Sequence, residues 1–147
     1  MDIRPLNRQN ISDIKTVILN IFSRPPWNDT WTDDQLHLYV RELMADKNSL
    51  SFGLYENQTL IGIALGKIKH WYEGTEYWIE EFGILPEQQR KGVGSRFLKK
   101  LEKILTDKGI SAFVLVTKRS VPAYFFYQKN GFEEQNDCVL FSKTLIN

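Results

Sequence analysis

The stretch Ile79 to Leu98 reads IEEFGILPEQQRKGVGSRFL, and it restricts the fold more than any other part of the chain. From Tyr77 to Leu85 the residues are aromatic and β-branched enough for a strand, and Pro86 ends it because proline has no N–H to give a ladder. Helical periodicity begins near Gly94. Between the two lies Gln89-Arg90-Lys91-Gly92-Val93-Gly94, where two glycines let the backbone approach a ligand and turn its amides toward one point at a helix N-terminus. Arg90 and Lys91 add positive charge, so the guest such a loop suits is a phosphate or pyrophosphate. Spacing excludes a Walker loop, which needs four residues between glycines followed by Lys and Ser or Thr. It also excludes the dinucleotide fingerprint GxGxxG.

The rest of the chain builds a frame around this stretch. Residues 2 to 6 suit a short strand. Asn10 or Ser12 then caps a helix whose apolar positions Ile11, Ile14, Val17, Ile18, Ile21 and Phe22 follow the 3.6 period, ended by Pro25 and Pro26. The loop from Ser23 to Trp31 leads to Thr32, which with Gln35 forms a capping box for a second helix bearing Leu36, Tyr39, Val40 and Leu43. Ser49 to Glu56 and Thr59 to Trp71 read as a hairpin about Asn57-Gln58, and Glu73-Gly74-Thr75 turns the chain into the strand before Pro86. After the glycine loop, a helix from about Gly94 to Lys108 turns Phe97, Leu98, Leu101, Ile104 and Leu105 inward, with Gly109 at its end. Ala112 to Thr117 is a continuous apolar run of the kind covered on both faces, suiting a parallel neighbour reached by that crossover helix. Pro122 opens a last helix closing at Asn130-Gly131, and Phe132 to Glu134 with Val139 to Thr144 suits a terminal strand pair. The expected class is mixed α/β, with helices flanking a mostly antiparallel sheet, in one domain over residues 1–147.

A strand, a proline and QxxGxG leading into a helix resembles the acetyl-CoA signature of the GNAT superfamily of N-acetyltransferases, with Gln89, Gly92 and Gly94 in its fixed places. Ser120 to Phe132, SVPAYFFYQKNGF, resembles the family's second pattern NxxAxxxYxxxGF. Ala123, Tyr127, Gly131 and Phe132 match, and Ser120 stands where Asn is usual. The resemblance implies a sheet whose strands on either side of the glycine-loop helix splay to admit the pantetheine arm of acetyl-CoA. It implies Gln89, Arg90, Lys91, Gly92, Val93, Gly94 and Ser95 at the pyrophosphate, and Ile84 and Leu85 as the strand end that pairs with pantetheine. An N–H there would stabilise negative charge on the thioester oxygen. Ser120 and Ala123 fall beside the cofactor; Ser120 can still donate one hydrogen bond. Tyr127 takes the family's role of protonating the departing thiolate, a sensible task for a phenol with a pKa near 10. Tyr124 is a lower-ranked substitute.

Acetylating an amine by direct attack in a ternary complex needs the nitrogen neutral, so a base or water relay is expected on the strand before Pro86. Glu80 and Glu81 are the candidates, because carboxylates among Trp78, Ile79 and Phe82 are desolvated and their pKa rises. Adjacent strand residues face opposite ways, so only one should reach the site. Parity from Ile84 selects Glu80, whereas a bulge, which the resemblance implies here, reverses the count. The resemblance favours Glu81, with Glu80 next. Trp27, Trp31, Trp71 and Trp78, with Glu80 and Glu81, form the expected acceptor lip. Asp29, Asp33, Glu73 and Glu76 add negative charge suited to a cationic amine.

Nineteen Lys and Arg against eighteen Asp and Glu make no general electrostatic case for nucleic acid or an anionic membrane. Local charge says more: residues 73 to 87 are acidic, and 90 to 103 are strongly basic. No apolar run approaches a membrane span, the N-terminus lacks a signal-peptide core, and the lone Cys138 reads as a small buried hydrophobe. A soluble cytoplasmic protein is the expectation. His37 and His70 lack metal spacing, so no metal is expected. The resemblance implies an acetyl-CoA-dependent N-acyltransferase acting on a primary amine, with an aminoglycoside- or polyamine-like acceptor mildly favoured. A protein N-terminus or lysine is the alternative acceptor. A non-catalytic CoA-binding sensor is the rival from another class, and the terminal strand pair would suit a homodimer.

Overall fold

Capping sets the first helices. Asn7 and Asn10 bond reciprocally around a 3-10 turn at Arg8–Asn10, and α1 follows directly over Ile11–Phe22. The side-chain cap thus sits one turn earlier than Asn10 or Ser12. Helix α2, Asp33–Ala45, begins with the expected Thr32–Gln35 capping box. The computed structural model describes residues 1–146. It forms two compact units, one spanning Met1–Val116 and one beginning at Thr117.

In the first unit, β1 (Asp2–Pro5), β2 (Ser49–Glu56), β3 (Thr59–Trp71), β4 (Gly74–Ile84) and β5 (Ala112–Val114) form one sheet in sequence order. The first four strands are antiparallel neighbours, and β5 runs parallel to β4. Helix α3, Val93–Asp107, makes the crossover between that parallel pair. This is the expected mixed α/β architecture. The parallel ladder joins Glu76, Tyr77 and Trp78 to Ala112, Phe113 and Val114, after which β4 continues to Ile84 paired only with β3. The two strands part just before Glu80 and Glu81. β5 is shorter than the apolar run to Thr117, and within its unit it is half-buried rather than covered on both faces.

Helices cover both faces of the sheet. Ile14, Ile18, Leu36 and Val40 of α1 and α2 pack with Ile63 and Leu65 of β3. On the other face Phe97 of α3 stacks on Phe82 with ring centroids 5.4 Å apart. Burying a side chain of this size fully contributes roughly 1.5–3 kcal/mol each. Both helical layers therefore hold β4 in place.

The second unit holds α4, Pro122–Lys129, with proline in its first turn as expected. The segments Phe132 to Glu134 and Val139 to Thr144 are not strands. The Gln135–Cys138 turn is present, its Cys138 N–H donating to Gln135 C=O at 3.1 Å. A lone two-stranded hairpin is marginal, and alternation alone does not supply a ladder partner. Cys138 is exposed in its unit, not buried, because it closes this turn. Among the described residues, no helix is long and apolar enough to cross a membrane.

Candidate functional site

Strand β4 carries a bulge at the glutamates. Leu65 pairs with Glu81 and Gly66 with Ile79, which leaves Glu80 without a partner on β3. Cross-strand partners share a face, and Leu65 belongs to the core beneath α1 and α2, so Glu81 lies on that face. Lys67, two residues from Leu65, is on the same face and approaches Glu80 at 3.5 Å. The bulge therefore brings both carboxylates to one side. This corrects the expectation that only one could be there, since the extra residue absorbs the half-turn that alternation assumes.

The two glutamates differ in surroundings. Glu80 is exposed and paired with Lys67. Glu81 is part-buried and accepts a 2.7 Å hydrogen bond from the Tyr39 hydroxyl of α2. Burial, opposed by that bond and aided by Asp29 and Glu80, pushes the Glu81 pKa up to about 7. Burial, then the Glu81 charge, pushes the Tyr39 phenol above its usual range, so it stays a donor. Asp29 is fixed by its N–H, which donates to Phe22 C=O at 2.8 Å. It lines an open depression with Thr30, Trp31 and Gln35.

The tryptophans divide. Trp31 stacks on Tyr39 at 5.3 Å and 17°, beside the carboxylates. Trp27 meets Phe22 edge-on at 5.5 Å and packs on the hydrophobic core. Trp71 and Trp78 flank Lys69, whose ammonium lies 4.2 Å and 5.2 Å from their ring centres. The cation held by these two rings is the chain's own.

Past Ile84 the chain makes a 3-10 turn, Pro86–Gln88, and enters the glycine loop. Arg90 and Gly92 adopt left-handed backbone, with φ of 63° and 75°. Gly92 caps α3 with no side-chain hydrogen bond, and the first turn has no acidic residue. The first helical bond runs from Arg96 N–H to Gly92 C=O, so the N–H groups of Val93, Gly94 and Ser95 have no partner in the helix ladder. Val93 is buried, leaving only its backbone for a ligand. Arg96 donates to Lys91 C=O at 3.1 Å, which keeps a guanidinium over the loop. The loop thus fits polyphosphate chemistry.

Gln89 and Leu85 do other work. The Gln89 side-chain amide donates to Ile84 C=O at 2.8 Å, locking the loop to the strand end. Leu85 N–H donates to Ile61 C=O at 2.9 Å. That corrects Leu85 as a donor to an acyl oxygen: its amide is committed to the sheet. By antiparallel alternation, the N–H groups of Ile84 and Phe82 turn away from β3. The motif drew attention to the strand end but did not pick out Phe82.

In the second unit, the spacing of Tyr127, Gly131 and Phe132 has a geometric reason. Gly131, at φ 88°, ends α4, and Phe132 N–H returns to Tyr127 C=O at 3.0 Å. The Phe132 ring then lies 5.2 Å from that of Tyr127. Tyr124 is engaged elsewhere, donating to Glu134 at 2.9 Å while Glu134 also pairs with Arg119. That bond raises the Tyr124 pKa, which weakens it as an acid. Ser120 and Ala123 flank the start of α4.

Residues 16–132 match the acetyltransferase (GNAT) family, and the chain belongs to that family. It is an N-acetyltransferase by class. A relative from Haemophilus influenzae (strain ATCC 51907 / DSM 11121 / KW20 / Rd), the [ribosomal protein bS18]-alanine N-acetyltransferase, is 32% identical over 107 residues, covering 69% of this chain and 70% of the relative. An acetyltransferase of Sodalis glossinidius (strain morsitans) is 24% identical, over 99% of this chain and 96% of that one. Among solved structures, an aminoglycoside antibiotic 6'-N-acetyltransferase from Acinetobacter haemolyticus shares the fold with a TM-score of 0.75 and 20% identity, covering 99% of this chain and 100% of that one.

Proposed function

We propose that the protein transfers an acetyl group from acetyl-CoA to the primary amine of a small cationic acceptor. The observation that carries the reading is Glu81, a part-buried carboxylate with a pKa pushed up to about 7 beside further carboxylates. A group poised there takes a proton from an ammonium near neutral pH far better than an ordinary glutamate. Acetyl-CoA supplies the activated acyl thioester. The loop residues Arg90 to Ser95 would hold its phosphates through free helix N–H groups and positive charge. The Ile84 N–H, turned away from β3, suits the acyl oxygen. Glu81 accepts the amine proton, and Glu80 and Asp29 attract the cation. Tyr127 is the acid for the departing thiolate, with Tyr127→Phe expected to lower kcat while leaving CoA affinity within a few-fold. Equal kcat would remove Tyr127 from that role.

A second reading, acetylation of a protein N-terminus, is favoured by the 32% identical relative, whose name specifies a ribosomal-protein alanine. Thiol release from acetyl-CoA, followed across sisomicin, spermidine and a peptide with N-terminal alanine, separates the readings. Turnover of the polyamine or aminoglycoside supports the small-amine acceptor, and turnover of the peptide alone replaces it. Tight CoA binding without release for any of them would leave the sensor reading.

A further inference from the structure

We propose that Tyr39 is a positioning residue for the base: its hydroxyl fixes one carboxylate oxygen of Glu81 and leaves the other for the acceptor amine. The proposal rests on the assignment of Glu81 above and extends it to a residue on another element. Three features of the structure carry it.

First, the 2.7 Å bond joins residues 42 positions apart, Tyr39 reaching from α2 to Glu81 on the sheet face that α2 covers. A phenol has one proton to donate, and here it goes to Glu81 Oε1. The second carboxylate oxygen has no such donor from Tyr39. Second, the phenol ring is itself held. Trp31, the residue before the Thr32 cap of α2, stacks against it at 17° between ring planes. Among the described residues, the Trp31 indole N–H is buried without a hydrogen-bond partner. An unpaired buried donor opposes burial, so the ring's placement is set by the stack and not by its polar atom. Third, among the described residues the other charged groups that act on Glu81, or lie beside it, offer it no proton donor. Asp29 from the α1–α2 loop and Glu80 from β4 are like charges, and Lys67 of β3 turns to Glu80. Tyr39 alone among these neighbours stabilises the carboxylate by a direct hydrogen bond. It thereby opposes the desolvation that would otherwise drive Glu81 out of the neutral range.

Tyr39→Phe removes only the hydroxyl and keeps the stack on Trp31. A hydrogen bond to a charged group of this kind corresponds to a shift of about one to two pK units. In the full chain, a 13C titration of the Glu81 side-chain carboxyl, assigned by its absence in Glu81→Gln, should move upward by that amount. The acid limb of kcat/KM should move to higher pH by the same amount. The loss at pH 7 should be about tenfold and should recover in alkaline buffer. A merely structural role would lower the whole profile without moving its limb.

A carboxyl titration that does not move overturns the proposal, as does a limb that stays where it was. A Glu81→Gln variant that retains the wild-type limb overturns the base assignment and the positioning role with it. In that case the Tyr39→Phe carboxyl titration still reports whether the two residues are linked, so the two failures are distinguishable.

Discussion

The glycine loop and the bulge of β4 lie on consecutive elements, yet under the proposed function they would meet charge by opposite means. The loop uses backbone: Arg90 and Gly92 in left-handed conformation, and helix N–H groups left unpaired by the geometry of α3. The bulge would use side chains, two adjacent glutamates brought to one face by an extra residue, one hydrogen-bonded by Tyr39 and the other paired with Lys67. A backbone site tolerates side-chain change where the chain only needs to turn, and fails where a side chain fills the ligand's space. A side-chain site tolerates backbone neighbours and fails when one hydrogen bond is lost. The contrast teaches where each half should be fragile.

The largest expected effect is at the loop. Gly92→Glu puts a residue with a Cβ into left-handed backbone, and that Cβ would lie 3.1 Å from the Arg96 guanidinium. The new carboxylate would then neutralise the charge meant for phosphates. CoA affinity should fall at least ~100-fold, about 3 kcal/mol, while the left-handed strain lowers thermal melting by only a few degrees. Calorimetry giving the wild-type affinity would break the assignment of the loop.

Glu81→Gln comes next and acts on rate. Loss of a positioned base should lower kcat by roughly 10²- to 10⁴-fold and leave CoA affinity intact. Its effect on stability has the opposite sign. The folded-state pKa of about 7 lies above the ordinary 4.5, so protonated Glu81 favours the fold below pH 4.5 and that contribution is lost as pH rises through 7. The variant should flatten this slope, and denaturant titrations at pH 4.5 and 8 would measure it. A slope identical to wild type would mean that Glu81 is not the desolvated group.

Gln89→Leu sharpens the comparison by testing the joint between the two regions. It removes the donor to Ile84 C=O and should destabilise by about 1 kcal/mol, while raising the KM for acetyl-CoA several-fold. A rise in the amine KM alone would place Gln89 with the bulge instead. The smallest effect belongs to Lys67→Met, because both partners of its pair with Glu80 are substantially exposed. Such a pair contributes roughly 0–1 kcal/mol, and the expected signature is a lower amine KM for a cation now attracted by an uncompensated Glu80. An unchanged amine KM would separate Glu80 from the acceptor.

How much of this the chain announced follows from the kind of interaction involved. Strand β3 and the capping box of α2 stand where turn and cap residues put them, because those signals act within a few residues. The α1 cap moved back to Asn7 since two asparagines three positions apart bond each other. Prolines, left-handed glycines and helix periodicity likewise determined the loop, the crossover helix and the Tyr127–Phe132 return, all of them local backbone constraints. Tertiary structure alone decided the rest. Whether Glu80 and Glu81 share a face depends on the register of β4 against β3. Which of them is desolvated depends on α2 laying Tyr39 across it. That Trp71 and Trp78 hold Lys69 depends on two strands meeting. These are cross-chain pairings whose partners lie far apart in sequence, and periodicity within one strand carries no information about the register of the next.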